Sequence, residues 1–318
     1  MISKLLKLLP GSSRKPRILL LVDYQGWAFD NSARSIVKNL SGDFNFEIRY
    51  VNDIPRPKLD PSRYDLVHVF FWGEKYHTKY NFSSSRIIKE ISSHRYEDDE
   101  RFGPCTAPEM AERFLGDAET VCVTSQRLSS IFSPIRKRCY WTPNGVDTTI
   151  FSRVSERFGE LVFGWAGNAQ DPVKGLHDIL LPACGGEVDL QLAPGNVARE
   201  KMNDFYNGLD VFLVGSKHEG EPLTLLEAMA AGCFPICSDV GIAREVIEDG
   251  VNGIVVASRT PEAFRTAIDW CRNHPEIVRK QGKINAGRMI ESRGWDKAIP
   301  YFERLYRETL EYANGSTR

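Results

Sequence analysis

The chain has no stretch near the roughly 18 consecutive apolar residues that a membrane-spanning helix needs, and its seven cysteines contain no C-x-x-C pair. The six histidines show no zinc-ligand spacing with those cysteines. Neither G-x-G-x-x-G nor G-x-x-x-x-G-K-[ST] occurs, so the dehydrogenase fingerprint and the P-loop are both excluded. No sign of charge dominates: 41 Lys+Arg stand against 42 Asp+Glu, a net charge of −1, which removes a general nucleic-acid binder. There is no repeat and no low-complexity tract. What remains is a 318-residue chain with 42% hydrophobic residues, a soluble globular composition long enough for two domains.

The cysteines are odd in number and several sit inside apolar runs, such as Cys122 in TVCVTS. They read as small buried hydrophobes in a reducing compartment, hence a cytoplasmic protein. The opening MISKLLKLL lacks a cleavage pattern and reads as a helical arm, with contact to a membrane surface as the alternative.

Short apolar runs recur with room for helices between them. They are Arg17–Asp23, Phe46–Val51, Asp65–Trp72, Arg86–Ser92 and Thr120–Ser125, then Leu161–Gly167, Val188–Ala193, Leu209–Gly215, Phe234–Ser238 and Gly253–Ala257. Continuous β-branched runs suit strands buried on both faces of a parallel sheet. Helical patterns alternate with them, so the class is α/β, with ligands expected at the carboxyl ends of the strands. PNGVD and the aperiodic SRVSERFGE after it mark a boundary near residue 150. The division is 1–150, 151–294 and a C-terminal helical segment 295–318, in which Pro300 is expected to make a kink or a break into two parts.

The densest chemistry lies in Val214–Ser238, VGSKHEGEPLTLLEAMAAGCFPICS. A strand runs into a glycine- and proline-containing loop and then a helix, whose first amides form an anion site. Glu219 lies in the loop and Glu227 in the helix, with seven residues between them. Two acids flanking an anion site suit a ligand with phosphate in the middle and hydroxyl-rich ends, the layout of a nucleotide sugar.

This S-x-x-E-G-x-P-x-x-L-L-E-A-M-A-A-G stretch resembles the signature of retaining GT-B glycosyltransferases, family 4 in particular. PNGVD at Pro143–Asp147, FGWAGN…KG at Phe163–Gly175 and VIEDGVNG at Val246–Gly253 resemble further family motifs in the same order. The resemblance is specific over Pro143–Val256 and one of layout over Met1–Tyr140. It implies two Rossmann-like domains facing a cleft, an acceptor domain first and a donor domain second, with the C-terminal helix crossing back to the first.

Position by position, the resemblance assigns Glu227 to the donor ribose and Glu219 to the hydroxyls of the transferred sugar. Leu223 and Thr224 supply amides to the diphosphate, and Lys174 neutralises it as it leaves. His94 points at the sugar, and Gly26 stands for a phosphate-facing glycine loop. Base contacts fall near Gly195–Ala198. No metal or other cofactor is implied. The expected partners are a UDP- or GDP-type nucleotide sugar and a glycan or lipid-linked acceptor, in a surface-polysaccharide pathway. Where the family usually places an arginine this sequence has Asn168, and Arg199 and Lys217 are the nearest cations to take its role.

Other features have plainer readings. Trp27 and Phe29, read as loop residues, are candidates for an acceptor platform, whereas Phe71 and Trp72 continue a buried strand and belong to a core. Glu97–Glu100 reads as a solvated loop. Residues 1–150 hold 22 Lys+Arg against 18 Asp+Glu, and 151–318 hold 19 against 24. The acceptor half could therefore lean on anionic lipid or on an anionic acceptor. Two other functions stay open at this level, a nucleotide-sugar epimerase and a nonenzymatic partner subunit of the same fold.

Overall fold

The computed structural model describes residues 14–195 and 197–315. The expectation for the first nine residues lies outside them.

Six strands, β1 (Arg17–Val22), β2 (Asn45–Tyr50), β3 (Leu66–Val69), β4 (Ile87–Ile91), β5 (Thr120–Val123) and β6 (Cys139–Trp141), form one parallel sheet in the order β2-β1-β3-β4-β5-β6. Its first helices are α1 (Ala28–Leu40), α2 (Ala107–Phe114) and α3 (Gln126–Phe132). Five further strands, β7 (Phe163–Ala166), β8 (Gln191–Ala193), β9 (Val211–Val214), β10 (Phe234–Ser238) and β11 (Ile254–Val256), make a second parallel sheet in the order β11-β10-β9-β7-β8. Its helices are α4 (Leu181–Cys184), α5 (Arg199–Asn207), α6 (Leu223–Ala230), α7 (Ala243–Val246), α8 (Pro261–Asn273) and α9 (Pro275–Ser292).

The burial patterns explain the strand runs. β3, β4, β5, β7, β9 and β10 are buried at every position, as strands covered on both faces must be. Edge strand β2 is only partly buried, and its residues alternate more freely with polar ones. All ten runs correspond to strands. β6 is the eleventh, a three-residue edge strand with no apolar run to announce it.

The last helix, α10 (Trp295–Gly315), buries Trp295, Ala298, Phe302, Leu305, Tyr306, Thr309, Leu310 and Ala313, a stripe at three- and four-residue spacing. That stripe packs into the first domain against Ile18, Leu20, Phe44 and Phe70. Emptying one such aromatic site costs about 3–5 kcal/mol, so α10 is part of that core. The expected break at Pro300 does not occur: one helix continues through it. Pro300 lies near the start, where it forfeits a single backbone bond to Asp296, and the packed turns beyond it hold the helix.

The chain crosses between the domains twice, and the two crossings touch. Val146 N–H donates to the Arg293 carbonyl at 2.8 Å, and Val146 and Gly294 form a parallel bridge. Gly145 is required here, because a Cβ on it would sit 2.5 Å from Trp295 Cα.

Candidate functional site

Strand β9 ends in the loop Gly215–Glu221, and α6 follows. Leu225 is the first residue of α6 whose amide bonds back, to the Pro222 carbonyl at 3.0 Å. The amides of Leu223 and Thr224 precede it at the positive end of the helix, and both residues are half-buried. Pro222 caps the helix start in extended geometry and contributes no N–H.

Each of the two acids is held by one cation and one hydroxyl. Glu219 Oε1 lies 2.6 Å from Lys174 Nζ and accepts from Ser216 Oγ at 2.8 Å. Glu227 Oε1 accepts from Arg199 Nη1 at 3.1 Å, and its other oxygen accepts from Tyr206 Oη at 3.1 Å. Burial pushes the Glu227 carboxyl up to about 7, against the opposing pull of Arg199 and the Tyr206 hydroxyl. That keeps it near the balance between acid and base at neutral pH. Arg199, Leu223, Leu226 and Glu227 line a small cavity of about 10 Å³, lined from the other domain by Asn31, Ser32 and Ser35 of α1.

Across the cleft, His94 follows β4 and is buried. Burial first, then the positive neighbours Arg127 and His218, depress its pKa to about 4, so the ring is neutral at physiological pH. Its Nε2 is buried without a hydrogen-bond partner. The two domains also meet at Gly220. A Cβ there would lie 2.2 Å from the Ser92 carbonyl oxygen and 2.5 Å from Thr124 Oγ1, at the ends of β4 and β5. Any residue larger than glycine would push the domains apart.

Lys174, Glu219, Glu227, Leu223 and Thr224 thus surround the start of α6, with His94 on the facing domain. The other expected residues are placed differently. Asn168 is exposed, and its Oδ1 accepts from the Gln170 amide at 3.0 Å in a local turn. The Gly26 amide already donates to Asp30 Oδ2 at 2.8 Å, so the loop is spent on starting α1. Trp27 is the N-cap of α1 and 55% exposed, its ring tilted against Tyr24 with centroids 4.8 Å apart. Phe29 is not a loop residue: it lies in α1 and packs toward Phe70, with ring centroids 6.1 Å apart. Phe29 is half-buried there, with its ring turned toward the core. Phe71 and Trp72 do pack in a core, against Phe102. Gly195 lies beside the Gly167 carbonyl, and Asn196 of the expected base-contact segment is outside the described residues.

Three groups escaped the sequence reading. Glu221 is buried and accepts from the Asn144 side chain at 3.0 Å, tying the loop to the PNGVD crossing. Burial raises its carboxyl to about 8, with the Asn144 amide and Arg293 pulling the other way. Burial and the Glu221 charge raise Glu90, on β4, to about 8 as well. Finally, Glu97–Glu100 is more than a solvated loop. Asp98 pairs with Lys217 and lies 2.8 Å from His218 Nε2, while the nearby Arg95 pairs with Asp171. A third acid in EGEP and a run of acids before an arginine were the available signals, but neither says what it meets.

Two parallel-sheet Rossmann-like domains closing on a cleft define the GT-B architecture. Sucrose-phosphate synthase of Thermosynechococcus elongatus superposes with a TM-score of 0.71 at 16% identity, over 92% of this chain and 99% of that one. HepE of Anabaena, solved with UDP and glucose, gives 0.68 at 15% identity over 92% and 100%. Within this architecture, residues 188–288 match the family described as Glycosyl transferases group 1. A D-inositol 3-phosphate glycosyltransferase of Streptomyces griseus is 30% identical over 114 residues, 36% of this chain and 24% of its own length. A glycogen synthase of Pseudomonas syringae is 28% identical over 109 residues, 33% of this chain and 22% of its own. The chain spans between about a quarter and just over a third of the curated relatives it matches first. The solved structures show the GT-B fold, and the family match falls on its second domain. Among the described residues no helix is long and apolar enough to cross a membrane.

Proposed function

We propose that the protein is a retaining glycosyltransferase that works without a metal and moves a sugar from a nucleoside-diphosphate sugar to a hydroxyl of a glycan or glycolipid. The observation that carries this reading is the pair Glu219 and Glu227, each held by a cation on either side of the amides that open α6. Glu227 takes the ribose hydroxyls, Leu223 and Thr224 give amides to the diphosphate, and Lys174 compensates its growing charge. Glu219 and the neutral His94 orient the sugar. The bond between the anomeric carbon and the phosphate oxygen breaks with its electron pair going to the diphosphate. The acceptor oxygen bonds to that carbon from the same side, and its proton passes to the departing phosphate oxygen. Preorganised cations and helix amides stabilise the charge that develops.

Retention and membership of family 4 rest on the motif resemblance. A UDP- or GDP-type donor is in keeping with the UDP-glucose complex of HepE. The same reading assigns the protein to surface-polysaccharide synthesis in the cytoplasm, with the basic first half against the inner membrane face.

A panel of UDP-, GDP-, ADP- and TDP-sugars, followed by calorimetry and turnover, tests the assignment. Glu227→Ala should weaken donor binding about tenfold or more, the loss expected for a hydrogen bond to a charged group. Glu219→Ala should lower turnover roughly 100-fold while donor affinity stays within about threefold. If neither variant changes affinity or rate, the assignment fails. Epimerised donor formed without acceptor would replace transfer by epimerisation.

A further inference from the structure

A departing diphosphate needs more compensation than Lys174 alone supplies, and Asn168 brings no charge. Of the two nearby cations, Lys217 is engaged by Asp98 at the domain interface, beside His218. Arg199 is placed otherwise. It is the first residue of α5, and its guanidinium reaches Glu227 at 3.1 Å. The guanidinium carbon sits 5.0 Å from the centre of the Phe151 ring, a face that can support it in more than one pose. The cavity it lines is also lined by Leu223, at the start of α6 and about one helical turn before Glu227. That cavity has room for about one water, with Arg199 and Glu227 both on its wall.

Taking the site as one for a nucleoside-diphosphate sugar, we infer that Arg199 is its second phosphate cation, parked on Glu227 in the closed chain and passed to the diphosphate when the ribose hydroxyls engage Glu227. The exchange conserves hydrogen bonding. When ionised, the carboxylate is an acceptor only, and two ribose hydroxyls replace the one guanidinium donor it gives up. The released guanidinium meets phosphate oxygens, for which its planar fork is suited and a lysine ammonium is not. Tyr206, bonded to the second oxygen of Glu227, keeps the carboxylate oriented during the exchange. Arg199 therefore both covers the carboxylate that the ribose engages and supplies the charge that Asn168 does not.

The test compares a nucleoside with its diphosphate. Uridine, guanosine and adenosine, and UDP, GDP and ADP, are titrated calorimetrically into the wild type and into Arg199→Ala, Arg199→Gln and Arg199→Lys, with circular dichroism to confirm folding. For the nucleotide that binds, Arg199→Ala and Arg199→Gln should weaken the diphosphate at least tenfold. The bare nucleoside should change by less than threefold or bind more tightly, because its seat is no longer occupied. Arg199→Lys should recover part of the diphosphate loss and leave kcat reduced more than KM. Equal loss for nucleoside and diphosphate would show that Arg199 only holds Glu227, and unchanged diphosphate binding would remove it from the site. Either result overturns this inference and leaves the donor assignment standing. A wild-type chain that binds none of the diphosphates overturns both.

Discussion

The first sheet has six parallel strands and the second five, and the loops at their ends meet at one interface, yet the charged groups there are satisfied in opposite ways. In the second domain two acids find partners at home, Glu219 with Lys174 and Ser216 and Glu227 with Arg199 and Tyr206, while Glu221 pairs with Asn144 of the crossing. In the first domain they reach across, Asp98 to Lys217 and His218, Arg95 to Asp171. Under the proposed function, the donor-side pairs of Glu219 and Glu227 need no contribution from the other half, whereas the pairs across the interface form only on closure. A preassembled site can bind nucleotide in an open molecule, and turnover then depends on how well the two halves meet.

The sharpest way to break this comparison is Gly220→Ala. The added Cβ would meet the Ser92 carbonyl and Thr124, so the domains cannot close fully. Turnover should fall on the order of 100-fold, as for other misplaced reacting groups. Nucleotide affinity should stay within about threefold, and small-angle scattering should show a more open molecule. Loss of nucleotide binding would mean that the donor site is not preassembled.

A middle-sized effect concerns Glu90 and Glu221, one from each domain. Both are raised by burial to about 8, and Glu90 also by the charge of Glu221. In the unfolded chain they lose protons near 4.5, so between about pH 4.5 and 8 the folded chain holds more protons than the unfolded one. Their contribution is present at acid pH and is lost as pH rises through about 8. Melting should therefore come at lower temperature at pH 8.5 than at pH 5.5. Glu90→Gln should narrow that gap by on the order of 3 °C. An unchanged gap in differential scanning calorimetry would show that Glu90 is ionised throughout.

The smallest effect belongs to Asp98→Asn. Lys217 is half exposed, and exposed pairs contribute about 0–1 kcal/mol. KM for the acceptor should rise about two- to fivefold, less at high salt, with nucleotide affinity unchanged. A tenfold change in nucleotide affinity would contradict the division of labour between the halves.

The same division explains how much could be read from the residues in order. RILLLV and LDVFLVG are continuous apolar runs, and strands buried on both faces leave such runs. CYW, at an exposed edge, leaves none, and α3 (QRLSSIF) is too short to show a period. The Glu219 and Glu227 spacing was legible because loop and helix are contiguous. The pairing of Arg199 with Glu227 spans 28 residues, and that of Asn144 with Glu221 spans 77, so tertiary packing decides both. Phe29 misled because the start of α1 has no serine, threonine or acid at its cap. The Pro300 break was overruled by the core of α10.

The paired crossings at Val146 and Gly294 have a mechanical consequence. Two independent linkers would let the halves swivel and splay in any direction. Two linkers bonded side by side behave as a ribbon, stiff within its plane and compliant across it. The cleft should therefore gape and shut like a book along one spine, returning Gly220 to the same carbonyl on every cycle.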